Sequence, residues 1–385
     1  MKFPISKILK WFIFPILITL SGLFTFLGLV FEVYQSFQLL FIFLVIILLL
    51  WGCVWRLRLI RKRIFFILVS STTLIAGLTA LGVYLHYDYI NSIPVISDQG
   101  VDLTKYEPFT KESLTVALNE PSELKIEDNL PVIDGATALY PLYAAFVQAT
   151  YPEKGYKLNE SEIWCGTTPE AYNNLIEGIA DLIFCAKPSD DQIEQAAKKG
   201  KTFKMTPIGR EAFVFFVNKD NPVKELTTDQ VRGIYSGKIK NWKELGGKND
   251  EIKAYQRPKN SGSQTMLERI MGNNSIITPI ETEMASGMGD IINYTADYKN
   301  YKNAIGYSFL FFSTEMVNNN QIEVIKIDGV YPSKETIKNG KYPFSGDFYA
   351  ITTDTQNENV EKLIEWILSP QGQYLVEKTG YTSIR

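Results

Sequence analysis

The stretch LPVIDGATALYPLYAAFVQATY, residues 130–151, holds a strand, a turn and a helix in order. LPVID reads as a short apolar strand. GAT ends it, and LYPLYAAFVQATY is the helix that the turn opens. The same order returns in SEIWC, GTT and PEAYNNLIEGI (161–179), and again in DLIFCA followed by KPSDDQIEQAAKKG, whose second half suits a helix. REAFVFFVN is a long strand leading out of this set. Strands alternating with helices predict an α/β sheet with parallel strands.

A second set begins near residue 218. TTDQVRGIYSG reads as a helix capped by Thr227 or Thr228, and IKAYQRP as a strand that leads into a Ser-Gly-Ser turn and another helix. SGMGDIINYTADY reads as a turn and helix, and NAIGYSFLFF as a strand. YPFSGDFYAITT and the helix ENVEKLIEWILSPQGQYLVEKTG read as a return to the first set.

Three strand ends share one composition: DGAT at 134–137, CGTT at 165–168 and NSGSQT at 260–265 each set glycine and a hydroxyl before a helix. Gly, Ser and Thr cap helices in many settings, so one such turn is explained by capping alone. Three of them, with Arg257 just ahead of Ser261-Gly262-Ser263, make a cradle in which backbone N–H groups, hydroxyls and a guanidinium converge on an oxyanion. Open α/β sheets bind ligands at such strand ends.

The rest of the composition narrows the chemistry. The 385 residues carry a formal net charge of −3, which gives no electrostatic footprint for nucleic acid. The single histidine, His86, leaves no means of building a Ser-His-Asp triad, a Cys-His pair or a histidine zinc site further along. No nucleophile–base pair stands out, so the chain reads as a binding protein rather than an enzyme, with no cofactor or metal.

Three apolar runs, about 11–34, 37–55 and 64–85, have the length of membrane-crossing helices. Lys2, Lys7 and Lys10 precede the first, while Arg56, Arg58, Arg61, Lys62 and Arg63 lie between the second and third. By the positive-inside rule the N-terminus and that basic loop are cytoplasmic, and everything after about residue 87 is extracytoplasmic. The expectation is a multi-pass plasma-membrane region over 1–87, a proline-bearing juxtamembrane stalk and lead-in over 88–130, and a globular domain over 131–385.

IDGATALYPLY, GTTPEAYNNLIEG, TPIGREAFVFFVNKDNP, VRGIYSGKIKNWKELGG, QRPKNSGSQT, NAIGYSFLFF and WILSPQGQYLVEKTGY together resemble the phosphate-binding proteins of phosphate ABC transporters. The resemblance implies a two-lobed type II periplasmic-binding-protein fold, with lobe one at about 131–217 and 307–385 and lobe two at about 218–306. It implies that the ligand sits between the lobes, held by Thr137, Ala138, Thr167, Arg257, Ser261, Gly262 and Ser263. It implies ABC permease subunits as partners. It also implies that the strands bearing Cys165 and Cys185 flank LPVID, too far apart for a disulfide, so both thiols are expected free and buried.

Two departures concern specificity. Where the family has an Asp that accepts the proton of hydrogen phosphate, DLIFCAKP has Ala186, and the acid expected after the arginine is Lys259. Asp134, Glu170 and Glu211 are the candidate substitute acceptors. The ligand is therefore phosphate or a related tetrahedral oxyanion. Two functions suit such a chain. It delivers the oxyanion to an ABC permease, or it is a ligand sensor whose lobe closure passes through the membrane helices to a partner.

Overall fold

The computed structural model describes residues 61–92, 95–96, 101–257, 259–278, 298–299, 301–316 and 322–384. The chain divides into two units. One contains the helix α1, Lys62–Ser92, 31 residues long, with Phe66, Ile67, Leu74, Ile75 and Leu78 exposed. Among the described residues, no helix is long and apolar enough to cross a membrane. The runs 11–34 and 37–55 lie outside the described residues, and the side chains of 64–85 are described only in part.

The other unit is a two-lobed α/β domain. The strands of its main sheet are β1 (Ile133–Gly135), β2 (Leu182–Cys185), β3 (Lys204–Asn218), β4 (Lys253–Ala254), β5 (Ala304–Phe309), β6 (Ile322–Val324) and β7 (Ser345–Thr352). Its helices include α2 (Tyr140–Thr150), α3 (Thr167–Glu177), α4 (Asp190–Lys198), α5 (Thr228–Tyr235), α6 (Gly262–Met271), α7 (Lys334–Lys338), α8 (Asn359–Ile367) and α9 (Pro370–Thr379). The sheet order is β1-β2-β7-β3-β5-β4, with β6 also on β3. The pairs β1–β2 and β4–β5 are parallel, as the strand–helix alternation predicts. The central pairings of β3 and β7 are antiparallel, so the sheet is mixed.

β3 makes the domain two-lobed. Its residues 204–212 pair with β7, and from Phe213 onward it pairs with β5. Residues 211–218 are buried almost throughout, as expected for a central strand covered on both faces. On one side Ile133, Phe146, Phe184, Ile208, Leu363 and Leu375 share a core; on the other, Phe215, Leu226, Trp242, Leu267 and Tyr307 share another.

The expected lobe limit at about 217/218 is displaced, and the return to lobe one expected at about 307 is interrupted. The switch falls at Ala212–Phe213; Phe311 belongs to the first core, whereas Ile325, Ile337, Tyr342 and Phe344 belong to the second, so the chain touches lobe one near Phe311, returns to lobe two, and re-enters lobe one near Ser345. A change of long-range partner inside one unbroken strand has no local marker. The stalk expected over 88–130 is also corrected, because 101–130 is built into lobe one. Ile126 is buried and donates its N–H to the Thr150 carbonyl at 2.8 Å, and Leu103, Tyr106, Phe109 and Leu124 pack on the same core.

Local signals place most helix ends. Ser189 with Gln192 and Thr227 with Gln230 form reciprocal capping boxes at α4 and α5, which settles the Thr227 or Thr228 choice. Gly178 ends α3 at φ 74°, a conformation that suits glycine. The helix expected over 358–380 is two helices, broken where Ser369 caps α9 and Pro370 begins it. SEIWC forms only a parallel bridge, Ile163 with Ile133, and SGMGDIINYTADY lies outside the described residues.

That bridge puts the Cys165 segment on one side of β1 while β2, ending in Cys185, lies on the other. Both cysteines are free and buried, as the resemblance implied.

Candidate functional site

The first turn follows β1. Asp134 is fully buried, and its carboxylate accepts the N–H of Gly135 at 2.7 Å, the N–H of Gly166 at 2.8 Å and the Asn174 amide at 2.8 Å. It therefore joins the GAT turn to the GTT turn. Burial raises its pKa, and the three donors oppose that shift. A β-carbon at position 135 would meet the Phe184 carbonyl at 2.7 Å and the Tyr143 ring at 2.8 Å, so this close approach requires glycine.

The second turn enters α3. Gly166 is its N-cap and no side chain caps the helix, so the capping explanation does not account for Thr167. Thr167 has φ 72°, a left-handed conformation in a β-branched residue, which costs on the order of 1–3 kcal/mol. The Asp134 bond to Gly166 helps to hold the backbone there. Thr137 likewise does not cap its 3-10 turn, whose N-cap is Ala136 with no side-chain bond.

The third turn belongs to lobe two. Ser261 caps α6, its oxygen accepting the Gln264 N–H at 3.2 Å, so its O–H remains a donor. The Arg257 N–H donates to Tyr307 Oη at 2.9 Å and Gln264 Oε1 at 3.1 Å, and the Tyr307 hydroxyl donates to the same Gln264 oxygen. Burial raises the Tyr307 pKa, so it remains a neutral donor. Gln264 and Tyr307, which fix the Arg257 backbone, are residues that the sequence reading missed. The only local sign was a polar Gln264 where α6 turns into the core.

All seven expected ligand residues, from Thr137 to Ser263, line one cavity of about 980 Å³. Arg257 and Lys259 give it positive charge, Asp102 and Glu170 negative, and the N-terminal turns of α3 and α6 both border it. Val101–Thr104 of the lead-in complete the wall. Thr168, not among the expected residues, lies where the lobes meet: a β-carbon on Gly262 would stand 3.2 Å from its hydroxyl. The lobes are also joined by an ion pair between Lys259 and Asp191, by Ser189 Oγ to Asn260 Oδ1 at 2.9 Å, and by Arg269 to the Pro188 carbonyl at 2.7 Å.

The candidate acceptors separate. Asp134 lines neither this cavity nor its neighbour and is committed to the two turns. Glu170 is exposed and borders the 980 Å³ cavity. Ala186 and Glu211 line a second cavity of about 480 Å³. Glu211 accepts the Phe311 N–H at 2.6 Å, tying together two segments near the lobe crossing, and burial raises its pKa to about 8.

Two lobes sharing one long strand, with turns from both meeting around a cavity, define a type II periplasmic-binding-protein fold. Residues 127–371 match the PBP superfamily domain, and the chain belongs to that superfamily. The phosphate-binding protein PstS of Borreliella burgdorferi is 25% identical over 221 residues, 55% of this chain and 76% of that protein. The phosphate-binding protein PstS of Bacillus subtilis is 24% identical over 254 residues, 66% of this chain and 80% of that protein. A Clostridium perfringens chain solved with bound phosphate aligns with a TM-score of 0.49 at 25% identity, covering 68% of this chain and 100% of its own.

Proposed function

We propose that this protein captures phosphate or a related tetrahedral oxyanion between its lobes, outside the membrane, and passes it to an ABC permease. The observation that carries this reading is the meeting of Thr137, Ala138 and Thr167 from one lobe with Arg257, Ser261, Gly262 and Ser263 from the other on a single cavity. Relatives named for phosphate binding support the choice of ligand.

In this reading Arg257 supplies a charge-assisted bond, and the hydroxyls and turn amides supply neutral donors. Neither lobe holds a complete donor set, so the ligand binds the closed arrangement more tightly than the open one and shifts the population toward closure. The interlobe bonds of Lys259, Asn260 and Arg269 then hold the closed rim. Release requires breaking them, and that is the step a permease would drive. Membrane anchoring through 11–34, 37–55 and 64–85 rests on their apolar length and on the flanking Lys and Arg.

The sensor reading has one observation in its favour. Val101–Thr104, which follow the third apolar run in sequence, line the cavity, so ligand contact reaches chain that continues toward α1.

Calorimetry of the full-length protein in detergent against phosphate and sulfate tests the binding function. Saturable one-site binding of phosphate is expected. Absence of binding to either anion refutes the reading.

A further inference from the structure

The second cavity of about 480 Å³ lies within the usual range of small-molecule sites, about 300–1,000 Å³. It shares Ala136, Ala138, Thr168, Gly262 and Phe309 with the wall of the oxyanion cavity. Away from that wall it turns apolar, through Phe213, Met266, Ile270, Phe344 and Phe348. Ala186, the position at which the resemblance implies an acid, faces into this cavity.

A methyl group at 186 has two consequences. It offers no acceptor for the proton of hydrogen phosphate, and it leaves open the volume that a carboxylate would fill. An oxyanion whose fourth substituent is carbon, or an ester oxygen, has no proton to place in that direction when fully ionised. Its substituent would leave water for an apolar enclosure.

We propose that the ligand is an organic oxyanion, a phosphonate or phosphomonoester, whose tetrahedral head occupies the cradle and whose compact apolar substituent occupies the cavity behind Ala186. The proposal rests on the oxyanion reading above and adds the substituent to it. At the far end Glu211 is a buried carboxyl that keeps its proton at neutral pH, so it does not repel an incoming anion. Lys187 and Arg269 on the same lining favour one, and the Asp347 carboxylate, which also lines the cavity, is paired with Arg210 at 2.9 Å.

Gly346 gives a clean test. It lines the second cavity but not the first, and a β-carbon there meets nothing within 4 Å. Gly346→Phe would fill the cavity, and Gly346→Val is the milder form should the larger side chain impair folding. The full-length protein in detergent is titrated with inorganic phosphate, methylphosphonate and phenylphosphonate, as are Gly346→Phe, Gly346→Val and Arg257→Ala.

Phenylphosphonate is expected to bind about tenfold or more tightly than inorganic phosphate. Gly346→Phe should remove that advantage and leave phosphate affinity unchanged, and Arg257→Ala should weaken both. Phosphate binding without phenylphosphonate binding, or phenylphosphonate binding indifferent to both Gly346 variants, overturns the inference and leaves the oxyanion reading standing. Phenylphosphonate binding indifferent to Arg257→Ala also overturns it, since the head group would then lie outside the cradle. Failure of all three ligands removes the oxyanion reading and the inference with it.

Discussion

Asp134 accepts the N–H of Gly166 at 2.8 Å across 32 residues of sequence, so one buried carboxylate sets the spacing between two turns that border the 980 Å³ cavity. Replacing it with alanine strands the Gly135 and Gly166 N–H groups and the Asn174 amide. Asp134→Ala should lower unfolding stability by about 2–4 kcal/mol and weaken oxyanion binding as well. Denaturant melts and calorimetry check both, and unchanged affinity in a folded variant would mean the turns hold their positions without it.

Arg257 is held by its backbone to Gln264 and Tyr307, which leaves the fold independent of its guanidinium for that anchoring. Loss of one partner of a charge-assisted bond in a closed cleft corresponds to about 2–4 kcal/mol. Arg257→Ala should therefore weaken oxyanion binding roughly 30- to 1000-fold, read by calorimetry.

Glu211 makes stability depend on pH in a definite direction. Its pKa is raised from 4.5 to about 8 by burial, so between those values the folded chain keeps a proton that the unfolded chain has lost. Stability contributed by this group is full below about pH 4.5 and falls as pH rises toward 8. Glu211→Gln keeps an acceptor for the Phe311 N–H and removes the titration. Melts at about pH 5 and about pH 8 should show the variant gaining relative stability at the higher pH, on the order of 3–4 kcal/mol.

Ala186→Asp would restore a carboxylate beside the cradle. Phosphate can donate a proton to it, whereas sulfate meets repulsion, so the phosphate-to-sulfate affinity ratio should rise by about tenfold or more. The same carboxylate would intrude on the second cavity and lower affinity for phenylphosphonate. Competition titrations read both changes.

Cys165 and Cys185 should both remain reduced thiols. Mass spectrometry of unreduced protein is expected to show no bridge, and alkylation should need denaturant because both are buried.

What the sequence determined by itself is local. A strand passing through Gly and a hydroxyl into a helix is encoded by neighbouring residues, so DGAT, CGTT and NSGSQT could be read as the walls of a site; Thr137, Thr167, Ser261, Gly262 and Ser263 from them line one cavity, together with the adjacent Ala138 and Arg257. Apolar period and the residues at helix starts marked most elements for the same reason. The tertiary structure alone decided the relations between distant residues. It switched the partner of β3 at Ala212–Phe213, and it committed Asp134 to the turns instead of the cavity. It linked Glu211 to Phe311 across 100 residues, and it turned Ala186 toward a second cavity that shares a wall with the first. It also built the lead-in into lobe one, with Val101–Thr104 against the site. Strand register and burial are fixed by which surfaces exclude water together, and those surfaces come from segments far apart in the chain.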